Sequence, residues 1–313
     1  MASPIIAVVG ATASGKTALS IELAQAIGGA ERVEIISADA MQLYRGMDIG
    51  TAKATPAQQC GITHHQLDVL DISQAASVAA YQKYARQDIR QIRERGRIPM
   101  IVGGSGLYVS ALLDELEFPG TDPNIREQLQ NQWDQDQGAE LIAELREKDP
   151  VSAATINLAN PRRVIRALEV VRLTGKSYTP VFPRHTSHYS NIIHLGVRRE
   201  KTELDRAIMQ RAQAMFADGL LDETRRLLEN GLRESPTARK ATGYAQAIDV
   251  IDEKLSVAQA IENVAFATRR LAKKQRTWFR PDPRITWIDV ADGNLDQAVA
   301  SAVNFVSGEC EGL

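Results

Sequence analysis

Eight consecutive residues, Gly10, Ala11, Thr12, Ala13, Ser14, Gly15, Lys16 and Thr17, fit the pattern G-x-x-x-x-G-K-[ST]. The chemistry open to such a loop is to hold a phosphate chain. Its glycines allow backbone angles and a close approach that side chains would block. Successive backbone N–H groups then converge on one point, and the N-terminus of the following helix adds its own donors. Lys16 brings a point charge, and the Thr17 hydroxyl is a ligand for Mg²⁺. The pattern does not say which phosphorylated molecule is held, because a nucleoside triphosphate and a diphosphate ester both satisfy it.

Asp39 is the second candidate, in the run ISADAMQLY (residues 36–44). Three roles are open to it: a Mg²⁺ ligand, a general base, or a helix N-cap. Position alone leaves all three standing.

The elements that must position these groups follow from periodicity. Residues 5–9 are a short apolar, β-branched run ending at Gly10, as expected of a strand buried inside a parallel sheet. Residues 16–27 put Leu19, Leu23 and Ile27 on one helical face and stop at Gly28 and Gly29. A second strand is predicted at 33–37, a helix at 79–95 closed by Gly96, and a third strand at 98–102. This alternation predicts an α/β fold with a P-loop NTPase-like parallel sheet. Asp39 then falls just past the C-terminal end of a strand, the edge at which open sheets bind ligands. Residues 117–190 are polar and helix-prone, so a helical insertion is expected there, within a core formed by 1–116 and 191–313. A strand at 192–197 returns the chain to the sheet. Helices at 201–231, 244–253 and 256–279, a strand at 285–290 and a C-terminal helix complete the expectation.

Composition narrows the class. The chain has 313 residues, 44% hydrophobic and 24% charged, which suits a folded globular protein. Its net charge of −2 means that any nucleic-acid surface must be local. Cys60 and Cys310 are the only cysteines and form neither a disulfide framework nor a metal-ligand spacing. No apolar run reaches the roughly 20 residues that span a bilayer. A cytoplasmic, soluble monomer with no membrane contact is the expectation.

Several segments together resemble the tRNA dimethylallyltransferase family (isopentenyl-diphosphate:tRNA transferases). They are GATASGKT (10–17), SADAMQLYRGMDIGTAK (37–53), IVGGSGLY (101–108), NPRRVIRALE (160–169), ATGY (241–244) and ATRRLAKKQRTWFR (267–280). The resemblance implies transfer of a dimethylallyl group from dimethylallyl diphosphate to the exocyclic amine of the adenosine 3′ of the tRNA anticodon. It implies that Lys16 and the loop amides hold the diphosphate with Mg²⁺ on Thr17, and that Asp39 is the general base. It further implies that Ser105 and Arg126 lie near the target nucleotide. Asp39, Ala40, Met41 and Gln42, with Arg162, Arg163, Val164, Ile165 and Arg166, are implied to contact the anticodon stem-loop. Ala40 and Ser105 stand where many members have Ser and Thr, so the hydroxyl survives only at 105.

Other readings stay open on the residues alone. A P-loop small-molecule kinase, a prenyltransferase acting on free adenine nucleotides, and a nucleotide switch that binds RNA all share the loop. The Arg162–Arg163–Arg166 cluster and a second basic run, Arg269, Arg270, Lys273, Lys274, Arg276 and Arg280, favour an RNA partner over a small acceptor. Taken alone, such a run is also an ordinary solvated helix face. His64 and His65 are read as structural, because adjacent side chains do not share a face and no partner stands at metal spacing.

Overall fold

The computed structural model describes residues 3–178, 185–291 and 294–309. In chain order the elements begin β1 (Ile5–Gly10), α1 (Lys16–Ala26), α2 (Gly29–Arg32), β2 (Val33–Ser37), β3 (His64–His65), α3 (Val78–Glu94), β4 (Ile98–Gly103) and α4 (Gly106–Leu113). Four helices follow, α5 (Pro123–Asp136), α6 (Ala139–Lys148), α7 (Pro150–Thr155) and α8 (Pro161–Thr174). The chain ends β5 (Ile192–Arg198), α9 (Lys201–Ala217), α10 (Leu220–Glu229), α11 (Tyr244–Ile251), α12 (Val257–Phe279), β6 (Ile285–Asp289) and α13 (Leu295–Glu309).

The strands form one parallel sheet in the order β3-β2-β4-β1-β5-β6, giving the α/β, P-loop-like architecture that the sequence predicts. All six residues of β1 are buried, because the sheet is covered on both faces. Alternation along β1 divides the core. Ile6 and Val8 pack with Leu19 and Leu23 of α1 and with Ala298, Ala302 and Val306 of α13. Ile5, Ala7 and Val9 pack on the other side with Tyr81, Ala85 and Ile89 of α3 and Leu112 of α4. The C-terminal ends of β1, β2 and β4 therefore open on one edge, between the helical layers.

The two-residue strand β3 is new relative to the periodicity, and it supplies the role of the histidine pair. His64 and His65 pair with Ile35 and Ile36, and His65 Nε2 lies 2.6 Å from Glu34. Arg95 and Arg97 also bind Glu34, so this cluster ties the sheet edge to the end of α3.

The chain divides into two compact units, residues 1–114 with 187–313, and residues 115–186. The second unit is a helical cluster with its own small core of Leu129, Leu141, Leu145, Val164 and Leu168. Asp122 and Asp149 cap its helices through their side chains, each just before a proline at the first helical position.

Candidate active site

The phosphate-binding loop joins β1 to α1. Gly15 is the N-cap of α1 with φ 95°, a left-handed conformation that glycine alone adopts without strain. Lys16 Nζ donates to the Ala11 carbonyl at 3.2 Å, and the Ser14 hydroxyl is buried with no partner among the described residues. Two distant side chains close on the loop. Gln275 of α12 accepts from the Thr12 N–H at 2.8 Å. Arg211 of α9 donates to the Thr12 hydroxyl at 3.2 Å through Nη1 and to the Thr51 carbonyl at 3.3 Å through Nη2.

A cavity at the sheet edge brings these groups together. Its lining includes Thr12, Lys16, Thr17, Asp39, Gln42 and Arg211. Burial lowers Lys16 from the usual 10.5 to about 8, Asp39 pulls it back up, and Arg211 pushes it down. Burial also lowers Arg211, with Asp39 opposing. Neither cation forms an ion pair within 4.0 Å among the described residues. Two desolvated cations facing one carboxylate leave an excess of positive charge for a polyanion.

Asp39 lies two residues past the end of β2. Its Oδ1 accepts from the Met41 N–H at 2.9 Å, and residues 40–43 form turns, so the helix-cap role is replaced by a side-chain turn. Oδ2 has no protein partner among the described residues, while Asp39 lines the cavity. Ser105, at the start of α4, accepts from the Ala40 N–H at 3.3 Å and fixes the same turn from the β4 side. Gln42 is locked, accepting from Ser37 Oγ at 2.8 Å and donating to the Thr51 carbonyl at 3.3 Å. Met41 and Ala40 pack partly buried against neighbouring core residues. Behind the turn, Tyr81 donates to the Ser37 carbonyl and packs 4.8 Å from Tyr108, whose hydroxyl burial pushes up to about 12.

The expected RNA-contacting residues of α8 separate by environment. Arg162 and Arg163 are exposed, and no ion pair is present for either among the described residues. Val164 and Ile165 are core residues of the helical unit, 0% and 4% exposed, so their side chains offer no surface to a ligand. Arg166 is bound to Glu169 at 2.7 Å and to the carbonyls of Pro119 and Gly120. Arg126 binds the same carboxylate at 2.7 Å. Burial would raise Glu169, but the two guanidinium groups outweigh it and its pKa falls. On α12, Arg270, Lys273, Lys274 and Arg276 are exposed, as is Arg280 just past its end. Arg269 is partly covered beside Asp205, and Gln275 and Phe279 turn inward.

Arg211, Gln275 and the Thr51 carbonyl are site components that sequence reasoning missed. Arg211 sits in an amphipathic helix with no local mark. Gln275 lies in a motif-bearing segment whose basic residues drew the attention. Among the described residues no group of three His, Cys, Asp or Glu could hold a metal, and no helix is long and apolar enough to cross a membrane. A Mg²⁺ ion would here take Thr17 and the oxygens of a bound diphosphate, a donor set that suits an ion retaining most of its water.

Comparison with known proteins identifies the family. Residues 42–282 match the family described as IPP transferase. A tRNA dimethylallyltransferase of Nocardia farcinica is 50% identical over 93% of this chain and 91% of its own. The solved tRNA isopentenylpyrophosphate transferase of Bacillus halodurans is 38% identical, with a TM-score of 0.72 over 99% of this chain and 97% of its own. A eukaryotic dimethylallyltransferase solved acting on tRNA is 25% identical, with a TM-score of 0.81 over 98% of this chain and 80% of its own. With more than half of its length matched to that family and a relative 50% identical over 93% of it, the chain belongs to the IPP transferase family.

Proposed function

We propose that this prenyl-transferring enzyme moves a dimethylallyl group from dimethylallyl diphosphate to the exocyclic amine of the adenosine 3′ of the anticodon in tRNA. The observation that carries the reading is the shared cavity, in which Asp39 faces Lys16 of a phosphate-binding loop and Arg211 of α9. A kinase needs the same loop, but the relatives are named for prenyl transfer to tRNA.

The adenine amine is a weak nucleophile because its lone pair is delocalised into the ring. As the nitrogen attacks the allylic carbon, the carbon–oxygen bond to the diphosphate breaks and the amine proton passes to Asp39. Such base assistance is worth about 10²–10⁴ in rate. The leaving diphosphate gains charge in the transition state. Lys16, Arg211 and the loop amides are the groups aimed at that charge. Mg²⁺ held with Thr17 would add Lewis-acid stabilisation of the same oxygens. The target base must leave its stack, at a cost of a few kcal/mol. Exposed Arg162 and Arg163 supply phosphate contacts that hold the stem-loop while this happens.

The test is transfer of labelled dimethylallyl from its diphosphate to unmodified tRNA with Mg²⁺. Label in the tRNA and stoichiometric diphosphate release are expected. Phosphate release from ATP, with no label transferred to any tRNA, would replace this reading with the kinase.

A further inference from the structure

Residues 48–54 form a wall beside the phosphate-binding loop. Thr51, Ala52 and Ala54 line the inner cavity with Lys16 and Arg211, and Asp48, Ile49 and Lys53 line the groove outside it. This wall is held in a demanding shape. Ala52 has φ 48°, a left-handed conformation that costs a residue with a side chain about 1 kcal/mol. A Cβ on Gly50 would lie 2.4 Å from the Tyr244 ring, so only glycine fits between wall and ring.

What holds it comes from a distant part of the chain. Glu223, on α10, is 4% exposed and accepts from the backbone N–H groups of Ile49 at 3.0 Å and Gly50 at 3.4 Å. Tyr244, fully buried at the start of α11, donates its hydroxyl to the same carboxylate at 2.5 Å. No cation pairs with Glu223 among the described residues, so these three donors offset its burial. The next residue, Thr51, presents the carbonyl that receives Arg211 Nη2 and Gln42 Nε2. Arg211 in turn reaches Thr12 of the loop.

We propose that Glu223, with Tyr244, is a positioning residue for the diphosphate donor: it fixes the 48–54 wall so that the Thr51 carbonyl aims Arg211 at the phosphate site. The proposal rests on the transferase reading above for the identity of the donor. Glu223 touches no substrate and acts through the wall. Losing it leaves Arg211 present but unaimed, so donor binding suffers while tRNA contacts remain.

The experiment is steady-state transfer with full-length wild type, Glu223→Gln, Tyr244→Phe and Arg211→Ala, and the double variant E223Q/R211A, after thermal melts confirm folding. Glu223→Gln is expected to raise the KM for dimethylallyl diphosphate about tenfold or more, with the KM for tRNA within about twofold. Tyr244→Phe shifts the donor KM in the same direction and less. The double variant is expected to be no worse than Arg211→Ala alone, because both changes remove one interaction. A folded Glu223→Gln with unchanged donor KM, equal rises for both substrates, or additive losses in the double variant would each overturn the proposal. Should Glu223→Gln not fold, Tyr244→Phe carries the same comparison. Should the wild type transfer no label, the transferase reading fails on its own. The positioning role of Glu223 is then judged by calorimetric binding of inorganic diphosphate, which Glu223→Gln must weaken about tenfold to sustain it.

Discussion

The phosphate end of the proposed active site and the arginine row of α8 are both basic, and they use their charge in opposite ways. In the first, Lys16 and Arg211 are desolvated and left without a carboxylate in contact, facing Asp39 across a cavity. In the second, Arg166 is bound to the buried Glu169 together with Arg126 of α5, while Arg162 and Arg163 are exposed with no ion pair among the described residues. A cation kept unpaired in a cavity is costly and marks a ligand site. A cation paired to a buried carboxylate holds the fold. Charge in a sequence therefore becomes function only where folding leaves it uncompensated.

The largest effect should come from removing the proposed base. Asp39→Ala is expected to lower kcat by about 10²–10⁴, with donor binding little weakened, measured as single-turnover transfer to tRNA. Loss confined to KM would move Asp39 from the chemistry to substrate placement. Next in size is Arg211→Ala, for which the donor KM should rise about tenfold to a hundredfold, as fits a buried charge-assisted contact. An unchanged donor KM would make Arg211 a structural residue like Arg166, and the contrast between the two regions would collapse.

What the sequence made legible follows the same division. The phosphate-binding loop is built from neighbouring backbone groups, so its pattern carries its geometry. Asp39 could be placed because β2 is a short β-branched run ending two residues earlier. The helical character of residues 123–174 showed in their polarity and lack of strand pattern. Arg211 and Gln275 were not legible, because they meet Thr12 across 199 and 263 residues. The difference between Arg163 and Arg166 was equally hidden. It depends on which side of α8 carries Glu169, and a motif read as one block does not show that.

A smaller effect is expected from pH. Lys16 titrates near 8 because burial disfavours its charge. Above that value the free enzyme loses the ammonium that attracts the donor, so the donor KM should rise about fivefold to tenfold from about pH 7.5 to about pH 9. Stability of the unliganded protein runs the other way. Between about 8 and 10.5 the unfolded chain keeps a proton that the folded one has released, so folding strengthens with pH across that window. Lys16→Arg should abolish both trends, because a guanidinium stays charged throughout. Persistence of the donor trend in that variant would assign it to another group.

The smallest effects on turnover sharpen the contrast within α8 itself. Arg163→Ala should weaken tRNA binding severalfold and reduce the salt dependence of its affinity by about one phosphate contact, with no change in melting temperature. Arg166→Ala should do the reverse. It removes a guanidinium from Glu169 and from the carbonyls of Pro119 and Gly120, leaving Arg126, which is half exposed, as the only side-chain cation on the carboxylate among the described residues. The expected cost is about 1–2 kcal/mol of stability for the helical unit, less than for a fully buried pair because Arg126 remains and is solvent-screened. Its salt slope for tRNA should match the wild type. If Arg166→Ala instead lowers the slope and leaves melting unchanged, Glu169 releases this arginine when RNA binds. The pairing seen here would then describe the free enzyme alone, and α8 would present three phosphate-binding arginines instead of two.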